Sequence, residues 1–326
     1  MRVEPGGVAH GLSWRAMSST DADELFALWQ RIEEHDDPPY RSTREEVADT
    51  FATQWSDVER HSVAGFDEAG HLCGYGLVGI PPGADGPARV FLDGGVDPAH
   101  RHRGVGSSIL TWQIDRGRAV LADSGHVSGS IVVHVEDGMG HAEDLVRRHG
   151  FTEAGYHTEM RRDLSIGVPR IELARPLAIE PWSPELDDQV RIAHNDAFGD
   201  LAATQSPTLW AEGRTYFVPG WSFLVLDRTS DRAQIAGYLL ASRYEQDWPT
   251  LGWSEGYIDM LGVRAPWRGQ RVATSLLCRA MEAFAGSGMQ YAALGVDHAT
   301  REHAHGLFDR LGFEPTRGST TYTIEV

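Results

Sequence analysis

The sequence predicts an α/β (α+β) protein built of two tandem domains, each a mixed, mostly antiparallel sheet flanked by helices. Three observations carry that expectation. The 326 residues are about two domains on the length prior. One strand-turn-helix stretch occurs twice, from Phe91 to Leu110 and from Ile258 to Leu277, so that Gly95, Val96, Arg101, Val105, Ser108 and Leu110 fall on Gly262, Val263, Arg268, Val272, Ser275 and Leu277. The pattern around each copy also follows one order: strand, helices, three strands, helix, strand, helix, strands.

Taken in order, residues 1 to about 10 read as a leader, and Leu12 to Met17 alternates like a short strand. Ser19-Thr20-Asp21 offers a cap for a helix through Leu25, Leu28, Trp29 and Ile32, and a second helix is expected from Arg44 to Trp55. Strands follow at Ser62 to Phe66, Leu72 to Val78 and Arg89 to Val96. The first repeat helix runs to Gly125, Ile131 to Val135 is a strand buried on both faces, a short helix ends at His149-Gly150-Phe151, and a strand follows near Thr158 to Leu164. Gly167, Pro169 and Pro176 mark a linker over 166–176, between a domain of 1–165 and one of 177–326. In the second half, Ser183-Pro184 caps a helix through Val190 and Phe198, and strands are expected at Phe223 to Leu226, Ile235 to Ala241 and Tyr257 to Val263. The repeat helix then leads to Tyr291 to Val296, a helix from about Thr300, and a last strand near Tyr322.

Composition narrows the function. A net charge of −18 opposes the phosphate contacts on which nucleic-acid binding depends, and it suits a cationic partner such as an amine. No apolar run approaches the ~20 residues of a membrane span, so the expected location is the cytoplasm and no membrane partner is expected. Cys73 and Cys278 stand singly, without metal or redox spacing, and read as reduced core residues. His298, His303 and His305 lack the spacing and the further ligands of a metal site, so none is expected.

A strand, a tight turn and a helix start place unpaired N–H groups and the positive end of the helix dipole at one spot, which makes an anion site. Each repeat therefore offers such a site. In the first it comprises Val96, Arg101, His102, Arg103, Gly104, Val105, Gly106 and Ser107. In the second it comprises Leu261, Gly262, Val263, Arg268, Gly269, Gln270, Arg271, Val272, Ala273 and Thr274. The runs Arg101-His-Arg-Gly104-Val-Gly106 and Arg268-Gly-Gln-Arg271-Val-Ala273 resemble the signature of the GNAT superfamily of acyl-CoA-dependent N-acyltransferases, and the chain is most similar to its tandem, mycothiol synthase-like members. The resemblance implies acetyl-CoA as acyl donor, with its pyrophosphate on the turn, its pantetheine between two splayed strands, and a small-molecule amine attacking the thioester directly. It also implies a monomer or a homodimer.

The chain departs from the family pattern in ways that set further expectations. Arg271 stands where the first copy has Gly104, which makes the N-terminal turn the better phosphate cradle by motif. The family's general-base glutamate falls on Val90 and Tyr257, and its thiolate-protonating tyrosine on Val146 and Phe308. Strand alternation puts Glu255, Tyr257, Asp259 and Leu261 on one face, whereas Asp93 falls on the face opposite Val90. Catalysis is therefore expected in the C-terminal half, from Asp259, Glu255 and Tyr257. The alternative expectation is a CoA-binding sensor without turnover.

Overall fold

A computed structural model describes the chain apart from residues 1–3, 5–6, 54–56, 81–87, 124–127, 199–204, 231 and 298–305. The first half runs β1 (Val8–Ala9), β2 (Leu12–Arg15), α1 (Ala22–Asp36), α2 (Arg44–Ala52), α3 (Val58–His61), β3 (Ser62–Phe66), β4 (Leu72–Gly79), β5 (Ala88–Val96), α4 (Val105–Asp123), β6 (Gly129–Glu136), α5 (Gly140–Arg148) and β7 (Thr152–Asp163). The second half runs β8 (Leu177–Pro181), α6 (Asp187–Phe198), α7 (Pro207–Ala211), β9 (Phe223–Asp227), β10 (Gln234–Ser242), α8 (Trp248–Leu251), β11 (Glu255–Val263), α9 (Val272–Gly286), β12 (Tyr291–Asp297), α10 (Leu307–Arg310) and β13 (Glu314–Glu325). The expected α/β order with a mixed sheet is present twice. The leader, however, contains β1, which hairpins onto β2. His298, His303 and His305 and the start of the helix expected from about Thr300 lie outside the described residues.

The chain forms two compact units, Met1–Gly155 with Ser319–Val326 (unit 1) and Tyr156–Gly318 (unit 2). This division differs from the expected boundaries at 165 and 177. The reason is backbone pairing. The second part of β7 lies antiparallel to β12, from Tyr291↔Asp163 to Asp297↔His157, while Ser319–Glu325 of β13 pairs with β6, from Ser319↔Glu136 to Glu325↔Ser130. Each unit thus takes its closing strand from the other half of the chain. Residues 164–176 hold no helix or strand, as expected of the linker, and belong wholly to unit 2.

Unit 1 orders its sheet β1-β2-β3-β4-β5-β6-β13 and unit 2 orders its sheet β7-β12-β11-β10-β9-β8. In both, the crossover helix after the repeat turn joins a parallel pair, β5 with β6 and β11 with β12. In unit 1, α4 buries Leu110, Ile114 and Leu121 against Val90, Leu92 and Ile131, and α1 packs Leu25 and Leu28 on the other face against Tyr75 and Leu77. In unit 2, Leu276, Met281 and Phe284 of α9 meet Ile258 and Leu294, while Val190 of α6 joins Tyr238 and Leu240 opposite. Cys73 and Cys278 are buried thiols. No described helix is long and apolar enough to cross a membrane.

The fit of α9 on its sheet depends on Gly256, where a Cβ would lie 2.5 Å from the Phe284 ring. Phe284 is fully buried, so the ring has nowhere to retreat. Gly256→Ala is expected to cost about 3 kcal/mol or more in urea unfolding, and Phe284→Leu in the same chain to recover part of it.

Candidate active site

In unit 2 the parallel pairing of β11 with β12 stops at Ile258↔Leu294, while β11 continues to Val263 and β12 to Asp297. Beyond that point the facing edges of the two strands carry backbone N–H and C=O groups without a ladder partner. On its other edge β11 pairs with β10, where Leu240↔Met260 is followed by Ala241↔Ile258. Asp259 is therefore an extra residue, a β-bulge at the first position past the parallel pairing.

The bulge corrects the expected face. Gly256 and Ile258 point towards α9, but after the bulge Leu261 and Val263 do so, and Met260 packs on the α6 side. Glu255, Tyr257 and Asp259 share the α6 side, and Leu261 does not join them. A period of two cannot reveal a bulge, because the extra residue leaves no mark in hydrophobicity.

Asp259 is exposed on the sheet surface, yet its carboxyl is closely surrounded. Ser242 Oγ donates to Oδ2 at 2.5 Å and the Tyr244 hydroxyl to Oδ1 at 2.9 Å. Burial pushes the carboxyl up to about 6, and the two hydroxyl donors act against that rise. No described cation pairs with it. Tyr244 packs edge-on against Tyr257, at 5.7 Å between centroids, and tilted against Tyr216 at 5.1 Å. Glu255 lies roughly 13 Å further down the strand, at ~3.3 Å per residue. It accepts from Trp253 Nε1 at 2.7 Å, and burial raises its carboxyl.

Tyr257 is tied to a strand that the sequence did not bring into this site. Its hydroxyl donates to both oxygens of Glu159 on β7, at 3.0 and 3.1 Å. His157 lies between Glu159 and Asp297, 3.3 Å from each, and these carboxylates, Asp297 foremost, raise its imidazole to about 9. Gly295 makes room for this group, since a Cβ there would sit 2.1 Å from His157 Nε2 and 2.9 Å from the Tyr257 hydroxyl. Arg161, further along β7, stacks over Trp253 and Tyr291, at 3.9 and 4.4 Å to the ring centroids. The alternation of His157, Glu159 and Arg161 with buried Thr158, Met160 and Arg162 was legible. Their partnership with β11 was not.

At the turns, the leading arginine of each copy does another task. Arg101 makes a bidentate pair with Asp36 at 2.6 and 2.7 Å and donates Nε–H to the Val96 carbonyl. Arg268 donates to the carbonyls of Val263 and Ala197. Both tie the turn to the end of the preceding strand; the Arg101 guanidinium is engaged at all three nitrogens, whereas Arg268 is exposed and commits only Nε and Nη2. Arg103, His102, Gly269, Gln270 and Arg271 are exposed, and Gln270 donates to the Pro266 carbonyl. Ser107 meets His149 at 3.0 Å.

Each turn has two left-handed positions, and each copy places its glycine at a different one. Unit 1 has His102 (φ 60) and Gly104 (φ 87), whereas unit 2 has Gly269 (φ 75) and Arg271 (φ 65). The Arg271 substitution therefore leaves the turn shape intact. It also leaves the approach open, since no atom lies within 4 Å of a Cβ built on Gly269. In unit 1 the ring of His10, in the β1–β2 turn, lies 3.1 Å from such a Cβ on Gly104 and meets Ser108 Oγ at 2.8 Å. The expected advantage of the N-terminal turn is thus offset by His10, a residue of the expected leader. Arg271→Gly is expected to stabilise unit 2 by about 1 kcal/mol through relief of left-handed strain, and thermal melts of the free protein measure this.

The positions on which the family's thiolate-protonating tyrosine falls are core positions, and so is that of Tyr322. Val146 and Phe308 are buried, and Tyr322 is 1% exposed with Arg147 over its ring.

The model of the GNAT acetyltransferase family matches residues 24–151 and again 187–313. A mycothiol acetyltransferase of Clavibacter sepedonicus is 32% identical over 161 residues, and one of Clavibacter michiganensis subsp. michiganensis is 30% identical over 152. These matches span about half of this chain (49% and 47%) and about half of those relatives (48% and 46%). The fold is similar across its length to the crystal structure of a GCN5-related N-acetyltransferase from Sphaerobacter thermophilus, with TM-score 0.71, 22% identity and coverage of 98% and 97% of the two chains. It is also similar to a tandem GNAT protein from the clavulanic acid biosynthesis pathway, with TM-score 0.66, 15% identity and coverage of 96% and 98%. With a splayed parallel pair and a repeat turn in each unit and a family match in each half, the chain belongs to the GNAT acetyltransferase family as a tandem member.

Proposed function

We propose that the chain transfers an acetyl group from acetyl-CoA to a primary amine of a small molecule, with the chemistry in unit 2. The observation that carries this reading is Asp259. It is a carboxylate bulged out at the first position beyond the parallel pairing, held by two hydroxyls and without a cation among the described residues. An ammonium has no lone pair to attack a carbonyl, so the reaction needs a group that accepts its proton. Asp259 does so in this reading, and the free amine forms a bond to the thioester carbon. The tetrahedral intermediate then collapses, the C–S bond breaks, and the thiolate leaves and takes up the amine's second proton. Ser242 and Tyr244 position the base. Tyr257 shapes the acceptor wall while Glu159 holds its hydroxyl, and Glu255 lies too far along β11 for direct transfer to the same nitrogen.

The donor side is supported by the free edge of β11 from Asp259 to Val263 and by the start of α9. There the N–H groups of Val272, Ala273 and Thr274 precede the first helical bond, which runs from Ser275 to Arg271. The exposed guanidinium of Arg271 adds charge for a pyrophosphate. Tyr216, Tyr244 and Tyr257 beside a carboxylate that no described cation pairs favour a cationic acceptor. The names of the curated relatives support acetyl transfer.

Incubation with acetyl-CoA and a panel of amines, read by thiol release and by the mass of the acetylated product, tests this reading. Ala273→Glu puts a negative charge at the helix start and is expected to reduce turnover at least 100-fold while leaving the fold intact. Binding of acetyl-CoA without product from any amine would favour the sensor instead.

A further inference from the structure

Unit 1 presents a second placement of the same kind. Its parallel pairing ends at Phe91↔Val132 while β5 continues to Val96 and β6 to Glu136. Without a bulge in β5 opposite β4, Val90 and Leu92 point to α4, and Asp93 falls on the α1 side. Asp93 thus lies on the face opposite Val90, as strand alternation predicts. That side, away from the repeat helix, is the one on which unit 2 carries Asp259. Unit 2 reaches it with an extra residue and unit 1 reaches it by regular alternation.

The surroundings of Asp93 fix it in place. Tyr75, 4% exposed, donates its hydroxyl to Oδ2 at 3.1 Å and receives Trp29 Nε1–H at 2.9 Å, so α1 orients the carboxylate through a half-buried relay. From the other face Gln113 of α4 donates to the Asp93 carbonyl at 2.7 Å and to that of Leu77 at 2.9 Å, which holds the strand where the pairing ends. Nearby acids are spoken for, Asp36 by Arg101 and Glu33 by Ser42. Asp93 is exposed on the sheet surface, and no described cation pairs with it. Its carboxyl is nonetheless crowded by the surrounding protein, and that burial raises it, so the charged form is held there at a cost. A cationic ligand removes that cost. The Tyr40 hydroxyl is close enough to feel the same charge: burial and the carboxylates of Glu136 and Asp93 raise it to about 12.

We propose that unit 1 is a second amine-acetylation site, with Asp93 as its base and the turn from Arg101 to Ser107 as its acetyl-CoA site. The proposal takes its chemistry from the reading of unit 2: Asp93 accepts the ammonium proton, the amine nitrogen bonds to the thioester carbon, and the C–S bond breaks to give amide and protonated CoA. His10, against Gly104 and Ser108, is the residue of this turn that has no counterpart in the second copy.

The experiment measures thiol release and acetylated product from acetyl-CoA with glucosamine, spermidine, tyramine and lysine methyl ester, in the full chain and in Asp93→Asn, Asp259→Asn and the double variant. Residual turnover in Asp259→Asn that falls at least 100-fold further in the double variant is the expected result. Tyr75→Phe in the Asp259→Asn chain, which removes one hydroxyl, is expected to cost three- to tenfold. If Asp259→Asn alone removes all turnover, the second site is overturned and the unit 2 reading stands. If Asp93→Asn alone removes it, the unit 2 reading fails and this one stands. Turnover that is indifferent to both substitutions, or absent with every amine, overturns both.

Discussion

Asp259→Asn is expected to lower kcat/KM for the unit 2 reaction by about 10²- to 10⁴-fold, the usual contribution of a positioned base. The pH profile makes this specific. Asp259 must be ionised to accept a proton, and burial pushes its carboxyl up to about 6, so the rate is expected to rise through about pH 6 and to lose that limb in the variant. Ser242→Ala and Tyr244→Phe remove donors that hold the carboxyl down. Each is therefore expected to move the limb to higher pH and to retain most of the plateau rate. A melting temperature unchanged or slightly raised in Asp259→Asn would separate lost chemistry from lost folding, since an acid with a raised pKa does not stabilise the fold when charged. A limb near pH 6 that persists in Asp259→Asn would rule this base out.

The second large effect concerns stability. His194, 8% exposed on α6, meets the Tyr238 hydroxyl at 2.6 Å through Nδ1 and leaves Nε2 buried without a described partner. Burial lowers its imidazole from an ordinary 6.5 to about 4. The native state therefore holds it neutral while the unfolded chain protonates it, so stability is full above about pH 6.5 and is lost as pH falls towards 4. At 1.36 kcal/mol per unit this amounts to about 3 kcal/mol. His157 has the opposite sign: its raised imidazole stabilises below 6.5, and that contribution fades as pH rises through about 9. Urea unfolding between pH 4 and 7 should show a steeper decline in the native chain than in His194→Asn. Parallel curves would assign the acid sensitivity elsewhere.

Sequence periodicity located nearly every element, because apolar spacing on the strands and on α4 and α9 reports directly which face is buried. The repeat, both turns and the carboxylates of β11 were legible for the same reason. What was hidden depends on pairing. The bulge at Asp259 shifts the faces of Leu261 and Val263 without altering composition, and its absence from β5 puts Asp93, by plain alternation, on the side that β11 reaches with an extra residue. The engagement of Arg101 by Asp36 and of Tyr257 by Glu159 joins residues far apart in the chain, which no local pattern encodes. Backbone conformation was half legible: Gly104 advertised its left-handed turn, but His102 and Arg271 adopt that region against their residue type.

The exchange of closing strands bears on the order in which the protein can be made. Unit 1 contains the chain up to Gly155, yet β6 stays an open edge until Ser319–Glu325 has left the ribosome. The half synthesised first is thus the one finished last, and a nascent chain carries an unpaired strand edge through the whole synthesis of unit 2. Unit 2, by contrast, finds β7 already waiting when β12 emerges.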